Sequence, residues 1–295
     1  MSTVLQHTIN GLTLGTIYAL MALGYSMVYG VLYFINFAHG DVAMVGAYLW
    51  VVVLMGKMGL PSGLAILLSL ILTAFIGIMI DRIVYVPLRR APRLAMIISS
   101  LGVSMILSTG AEVVFGVFQQ PVPAIIPNKI FRFGGAVMNL HHLIILLVSL
   151  VLMVGLQLLV YRTKMGVALR AVSFSRETAG VMGIDTDKVT SFAFGLGSLL
   201  GAVAAIMVGI YYGSIYPTMG ATIGIKAFTA AVVGGIGNIP GAMLGGLLLG
   251  VLESLAGAYI SSGYRNAIAF SALVIVLLFR PFGLLGSTGR GVDRA

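Results

Sequence analysis

No aspartate, glutamate, lysine or arginine occurs before Asp41, and further charge-free stretches run 58–80, 94–111, 133–161, 189–225 and 227–252. One helical crossing of a bilayer core takes about 20 apolar residues. Each stretch is long enough, or nearly so, to cross once, and a chain built of them has no soluble fold open to it. Composition agrees: 59% of residues are hydrophobic and 8% charged, against roughly 45–50% and 25% in soluble globular chains. Disorder is excluded by the same balance, since it needs low hydrophobicity and many charges. The sequence has no cysteine, so disulfide frameworks, thiolate metal sites and cysteine nucleophiles are excluded as well.

The spacing predicts an all-α polytopic membrane protein, one transmembrane domain over 1–295. Helices are expected near 9–33, 38–56, 62–82, 94–117, 142–161, 190–213, 223–236, 239–258 and 265–280. That makes eight or nine passes, because 223–236, at roughly 14 residues, either crosses or forms half of a broken helix. The N-terminal apolar run has no basic residue before it and is too long for a signal-peptide core, so it is expected to remain as the first helix.

Lysine and arginine total 17 against 8 acidic residues, a net charge of +9. In a soluble protein that excess would suggest nucleic acid; its distribution here argues for topology instead. Arg82, Arg89, Arg90 and Arg93 share one loop. Arg162, Lys164, Arg170, Arg176 and Lys188 share a second, and Arg280, Arg290 and Arg294 lie beyond the last apolar run. These three regions alternate correctly if all face the cytoplasm. The other side then has only Lys57, Lys129, Arg132 and Arg265, with Lys226 inside a span. The N-terminus is expected outside, the C-terminus inside, and the partner of this charge is the bilayer, with no nucleic acid. Residues 118–140, holding Pro121, Pro123, Pro127, Gly134 and Gly135, read as an ordered external loop. Residues 162–189 read as a polar, helix-compatible internal one.

In lipid, helices associate through small residues that let backbones approach. Gly11 and Gly15, Gly197 and Gly201, Gly241 and Gly245, and Gly246 and Gly250 each stand four apart. They serve either packing within the chain or a subunit interface. The stretch from Gly234 to Gly241 holds four glycines and Pro240 and cannot continue a regular helix. It is either a helix–helix turn or an opened backbone lining a polar path, with Gly235, Gly237 and Asn238 as candidates. Asn36, His39 and Asp41 interrupt two apolar runs. Asn36 can cap a helix whose first turn carries Asp41; alternatively all three stand beside a transport path. Glu112, Lys226 and Glu253 are the other isolated intramembrane charges; Lys226 and Glu253 either pair or snorkel to opposite interfaces.

No enzyme motif is present. There is no H-E-x-x-H and no G-x-S-x-G, and the one Gly-Lys pair, Gly56–Lys57, is followed by Met58, so no P-loop exists. The chain is expected to bind no cofactor itself.

Residues 167–183 alternate small or apolar residues with charges, as a short surface helix would. Glu177-Thr178-Ala179 followed by Gly183 resembles the E-A-A-x-x-x-G coupling loop of bacterial ABC-importer permeases, with Thr178 departing from the second small position. Ile35-Asn36-Phe37-Ala38-His39-Gly40-Asp41, and the segment from Lys226 through Gly234-Gly235-Ile236-Gly237-Asn238-Ile239-Pro240-Gly241 to Ala242, resemble hallmark segments of the branched-chain amino acid ABC transporter permeases, specifically the smaller of their two membrane subunits. The similarity runs from about Thr8 to Gly286. It implies an ABC-importer permease fold in the inner membrane. It also implies a heterodimer with a second homologous permease, two cytoplasmic ATPase subunits that use the ATP, and an external substrate-binding protein. Within the loop, Ala171, Phe174 and Ala179 would fill a groove of the ATPase, Arg170, Arg176 and Glu177 would orient it, and Gly183 would turn the chain back. A urea or short-chain amide permease is the nearest rival; an ion-coupled secondary transporter is a more distant one.

Single cysteines at Asn128 and Ser175 in this cysteine-free background are expected to label with an impermeant maleimide from opposite sides of the membrane. Labelling from the same side would refute the topology.

Overall fold

Lipid offers no partner for a bare amide, so an apolar run satisfies its backbone groups by closing into a helix. In the computed structural model, which describes residues 2–89, 91–133 and 136–286, every charge-free stretch does so. Arg90, Gly134, Gly135, Arg290 and Arg294 lie outside the described residues. The helices are α1 (Ser2–Leu32), α2 (His39–Tyr48, continuing as a π-helix over Leu49–Lys57), α3 (Ser62–Ile80, continuing as a π-helix over Asp81–Tyr85) and α4 (Val86–Leu88). They continue with α5 (Arg93–Phe115), α6 (Leu140–Arg162), α7 (Lys164–Phe174), α8 (Arg176–Val181), α9 (Thr186–Tyr212), α10 (Met219–Gly234), α11 (Ile239–Tyr259) and α12 (Arg265–Phe279). Pro61 and Pro92 precede α3 and α5 and Pro240 sits in the first turn of α11, places where a missing amide costs little. Among the described residues, eight helices are long and apolar enough to cross a membrane; α10 is apolar but shorter.

The expected helices are all present, the first with a changed extent. The first starts at Ser2 rather than near residue 9, because polar residues such as Gln6 lower hydropathy without lowering helicity. Gln6 exchanges two hydrogen bonds with Val137, at 2.7 and 2.9 Å. Residues 118–140, expected as an ordered loop, hold short strands. Strand β1 (Gln120–Pro121) pairs antiparallel with β4 (Ser214–Ile215), and β2 (Ile130–Phe133) with β3 (Ala136–Asn139). These strands mark one end of the bundle. The opposite end gathers α4, α7, α8 and residues 280–286, and so most of the basic residues.

Burial sorts the spans. The most apolar 18-residue window of α1 is 94% buried and that of α9 83%, against 6% for α12. Around this pair α3 is built inside-out. The buried positions of α3 are Ala65, Ser69, Thr73 and Gly77, every fourth residue, followed at the same interval by buried Asp81. Leu67, Ile71 and Phe75 face outward. Small and polar residues face the protein because close approach and hydrogen bonds, not apolarity, separate protein from lipid.

All four glycine pairs pack within the chain. An added Cβ on Gly250 would stand 2.3 Å from the Cα of Gly15, and one on Gly246 would stand 2.5 Å from that of Ala19, so α1 and α11 cross backbone to backbone. Gly197 and Gly201 receive α1 and His39, and Gly241 and Gly245 receive α10.

Two segments run partly extended. After Leu32 the chain turns back, and α2 starts at His39, against Gly24, eight residues before the end of α1 and so roughly 12 Å inside the bundle. From β4, at the opposite end, the chain descends without helix to Met219. There α10 begins, with Gly220 against Gly40, and runs to Gly234 at the basic end. The segment expected over 223–236 is therefore the helical half of a strand-plus-helix traverse.

Gly250→Ala is expected to destabilise the fold by about 1–3 kcal/mol, since the colliding atoms are backbone. Gly155→Ala, which meets nothing within 4 Å, should be neutral or slightly stabilising. Thermal melting of the detergent-solubilised variants reads the contrast.

Candidate functional site

The interruption at 33–38 is held by one amide side chain. Asn36 Oδ1 accepts the Ala38 amide at 3.2 Å and the Tyr85 hydroxyl at 2.8 Å. The expected cap is thus displaced: Ala38 occupies the N-cap without a side-chain bond, and Asn36 closes the turn before it. His39 and Asp41 follow in the first turn of α2, both buried. The His39 ring fills the space left by Gly24 and Gly201 and stands edge-on to Tyr25, with centroids 4.6 Å apart. The carboxylate of Asp41 accepts Ser104 Oγ through Oδ2, while Oδ1 lies against the Gly220 backbone at the start of α10. Two helix N-termini therefore meet at this carboxylate, and both macrodipoles favour its negative charge.

A second charge group lies on the other side of α10. Lys226 donates to Glu253 at 2.6 Å and to the Tyr18 hydroxyl at 3.5 Å, and Tyr18 donates to Glu253 at 2.9 Å. Of the two expectations for Lys226 and Glu253, pairing is the one the structure adopts. It ties α1, α10 and α11 together at the middle of α1. Tyr18 was not singled out from sequence: it is one of several hydroxyl residues in α1, beside Thr13, Thr16, Tyr25 and Ser26, and nothing local distinguishes it.

Asn238, Gly235 and Gly237 lie elsewhere. Asn238 caps α11, accepting the Gly241 amide at 3.2 Å, and donates Nδ2 to the Leu285 carbonyl at 2.6 Å. Gly235 and Gly237 take φ of +111° and +83°, conformations that suit glycine. Asn36 and His39 are packed inside the bundle, and Asn238 stands at its basic end. What Asn238 and Gly237 do share is a cleft of about 270 Å³ with Arg170, Ser173 and Phe174, beside a second of about 330 Å³ lined by Tyr33 and Phe282.

The segment 164–183 is two helices, not one. Ser175, at φ −155°, ends α7 and caps α8 by accepting the Thr178 amide. Helix α7 is held by Arg170, which donates to the Val160 carbonyl at 3.0 Å and lies over the Tyr161 ring, and by Tyr33, whose hydroxyl donates to the Ser173 carbonyl. Phe174 is 76% exposed, Ala171 is half-buried and Glu177 is exposed. Ala179, expected to enter a partner's groove, is buried against this chain; the exposed apolar residues beside it are Val181 and Met182. Arg176 also turns inward, to Asp187 at 2.6 Å. Burial and the neighbouring Arg89 pull its guanidinium below the ordinary value, and Asp187 opposes that. Gly183 turns the chain at φ +83°. No group of three or more His, Cys, Asp or Glu that could hold a metal occurs among the described residues.

Lipid-facing spans, helices interrupted inside the bundle and an exposed two-helix segment at the basic end define a polytopic membrane protein of the transporter class. The chain belongs to the family described as branched-chain amino acid transport system / permease component, which matches residues 7–279. It is 42% identical to the high-affinity branched-chain amino acid transport system permease protein BraD of Pseudomonas aeruginosa, over 96% of this chain and 95% of that one. Identity is 37%, with the same coverage, to the corresponding LivH of Escherichia coli K12. To the probable branched-chain amino acid transport permease LivH of Methanocaldococcus jannaschii it is 32%, over 93% of this chain and 90% of that one.

Removing one member of the Lys226–Glu253 pair leaves a buried charge without its partner. Glu253→Gln should cost about 3–5 kcal/mol in melting of the solubilised protein, and Lys226→Met with Glu253→Leu much less. Equal losses in both would mean that pairing is not what these residues supply.

Proposed function

We propose that this chain is a permease subunit of a binding-protein-dependent ABC importer that carries branched-chain amino acids across the inner membrane. Family membership over nearly the whole chain, with relatives of that stated activity, carries the reading. It works beside a second homologous permease, two cytoplasmic ATPases and an external binding protein. Nine traverses, counting the strand-plus-helix one, leave the termini on opposite sides, and the concentration of lysine and arginine supports an N-terminus outside and a basic end in the cytoplasm.

An aliphatic amino acid is a zwitterion with an apolar side chain, so its route needs apolar walls and scattered donors and acceptors. Helix breaks supply the latter from backbone; the break at Asn36–Asp41, joined to the start of α10, is the one that lies inside the bundle. Lacking a P-loop, the chain can use ATP only through mechanical contact. The exposed Phe174, Val181 and Met182 on α7 and α8, with Glu177 at the rim, form the surface for that contact, since an apolar centre with a polar rim is what a protein interface requires. Gly183 lets the segment return to α9.

The double variant Gly183→Leu, Glu177→Lys forces a strained φ and reverses a rim charge. Complex assembly, ATP hydrolysis and leucine uptake are measured on the full importer. Uptake should be lost, through weaker assembly or through hydrolysis uncoupled from transport; normal uptake would remove α7–α8 as the coupling element. Uptake of urea but not leucine by the wild-type complex would favour the amide-permease reading instead.

A further inference from the structure

Helices α7 and α8 are attached to the bundle by different means. Helix α7 buries Gly166, Leu169 and Val172 and is bonded through Arg170 and Ser173 to α6 and α1. Helix α8 has six residues and buries only Ala179. Its other attachment is a chain of charges. Arg176, its first residue, donates to Asp187 in the first turn of α9. Asp187 also accepts Arg89, just beyond α4. Arg89 reaches back to Asp81 at 3.0 and 3.2 Å, and Asp81 accepts Ser191 of α9 at 2.7 Å.

Asp81 is fully buried, at the residue where α3 becomes π-helical; Arg89 is 10% exposed and Asp187 half exposed. Two arginines thus share one outer carboxylate, and the inner one also sets its Nη2 between the two oxygens of a second carboxylate inside the bundle. Hydrogen bonds between ionised groups are stronger than neutral ones, and a network of this kind couples more than isolated pairs do.

We infer that Arg176, Asp187, Arg89 and Asp81 form the positioning link through which displacement of α8 is passed to the wide turn of α3 and the start of α9. This inference rests on the coupling role proposed for α7–α8. Asp187 is its weakest and most telling member: without it Arg176 and Arg89 repel, while Arg89 keeps Asp81. Pulling on α8 would then no longer move α3.

The test uses the assembled importer with Asp187→Ala and, as the conservative variant, Asp187→Glu. Asp187→Ala should leave assembly and ATP hydrolysis in place and lower leucine uptake per ATP about fivefold or more, the size of an ordinary coupling between sites. Asp187→Glu should restore most of it. Spin labels on cysteines at Ile83 and Val181, both exposed, should give one narrow distance in wild type and a broad one in Asp187→Ala. A narrow distance, or unchanged uptake per ATP, in Asp187→Ala overturns the link and leaves the importer reading intact. Loss of assembly in Asp187→Ala, with the distance still narrow in the isolated permease, overturns it too. Failure of the wild-type chain to assemble with any ATPase would instead overturn the importer reading.

Discussion

Inside a bilayer, two helices gain nothing by hiding leucine from lipid, so attraction between them depends on how closely their backbones approach. In this chain that approach is concentrated on α1, whose Gly11 and Gly15 receive α11 and whose Gly24 lies against Gly197 of α9 and the ring of His39. Everything else is arranged outside this trio. Helix α3 turns a small or polar stripe inward and leaves its large aliphatic residues to the lipid, while α6 buries Ile145, Met153, Leu156 and Val160 beside Ser149; α1 and α9 are almost wholly covered by protein and α12 is not.

Charge inside such a bundle is costly without partners, and three arrangements supply them in different measure. Asp41 accepts Ser104 through Oδ2 where two helix N-termini meet, while its Oδ1 has no hydrogen-bond partner. Lys226 and Glu253 answer each other, with Tyr18 satisfying both. Asp81 takes Arg89 and Ser191. Each group joins helices distant in sequence; Asp41 does so where α2 and α10 begin, Asp81 where α3 becomes π-helical, and Lys226 and Glu253 from within regular helix. Polar contacts of this sort can be exchanged without opening an apolar core, which suits a protein whose helices must shift.

Much of the fold was legible in sequence because membrane spans announce themselves by length. The nine helical segments and the two ends of the bundle follow from charge-free runs and basic clusters alone. What remained hidden was set by tertiary contact. Nothing local distinguishes Asn36 as the residue before a cap from Asn36 as the cap; that is decided by Tyr85, 49 positions away. Ala179 has the right size for a partner's groove, yet one turn of helix set by the Ser175 cap rotates it inward and turns Val181 and Met182 out. Lys226 and Glu253 were visible as charges, but their pairing depended on the crossing of α10 and α11. The sequence likewise held both Asn36 and Asn238 as interruptions; only their contacts with α1, His39 against Gly24 and Gly237 against Tyr29 and Gly30, separate an internal break from a turn at the end.

The packing of α1 has a consequence for how the protein is made. Synthesis delivers the N-terminal helix first, but the residues that cover it come last: His7 accepts Ser254, 247 positions later, and the Tyr18 hydroxyl waits for both Lys226 and Glu253. Until α9 and α11 are inserted, the most buried helix of the finished protein stands in lipid with Thr13, Thr16 and Tyr18 lacking their final surroundings. The hydroxyls of Thr13 and Thr16 bond back to carbonyls of their own helix, a local arrangement available from the moment α1 forms. The centre of this fold is therefore its oldest part in the order of insertion and its latest in the order of assembly.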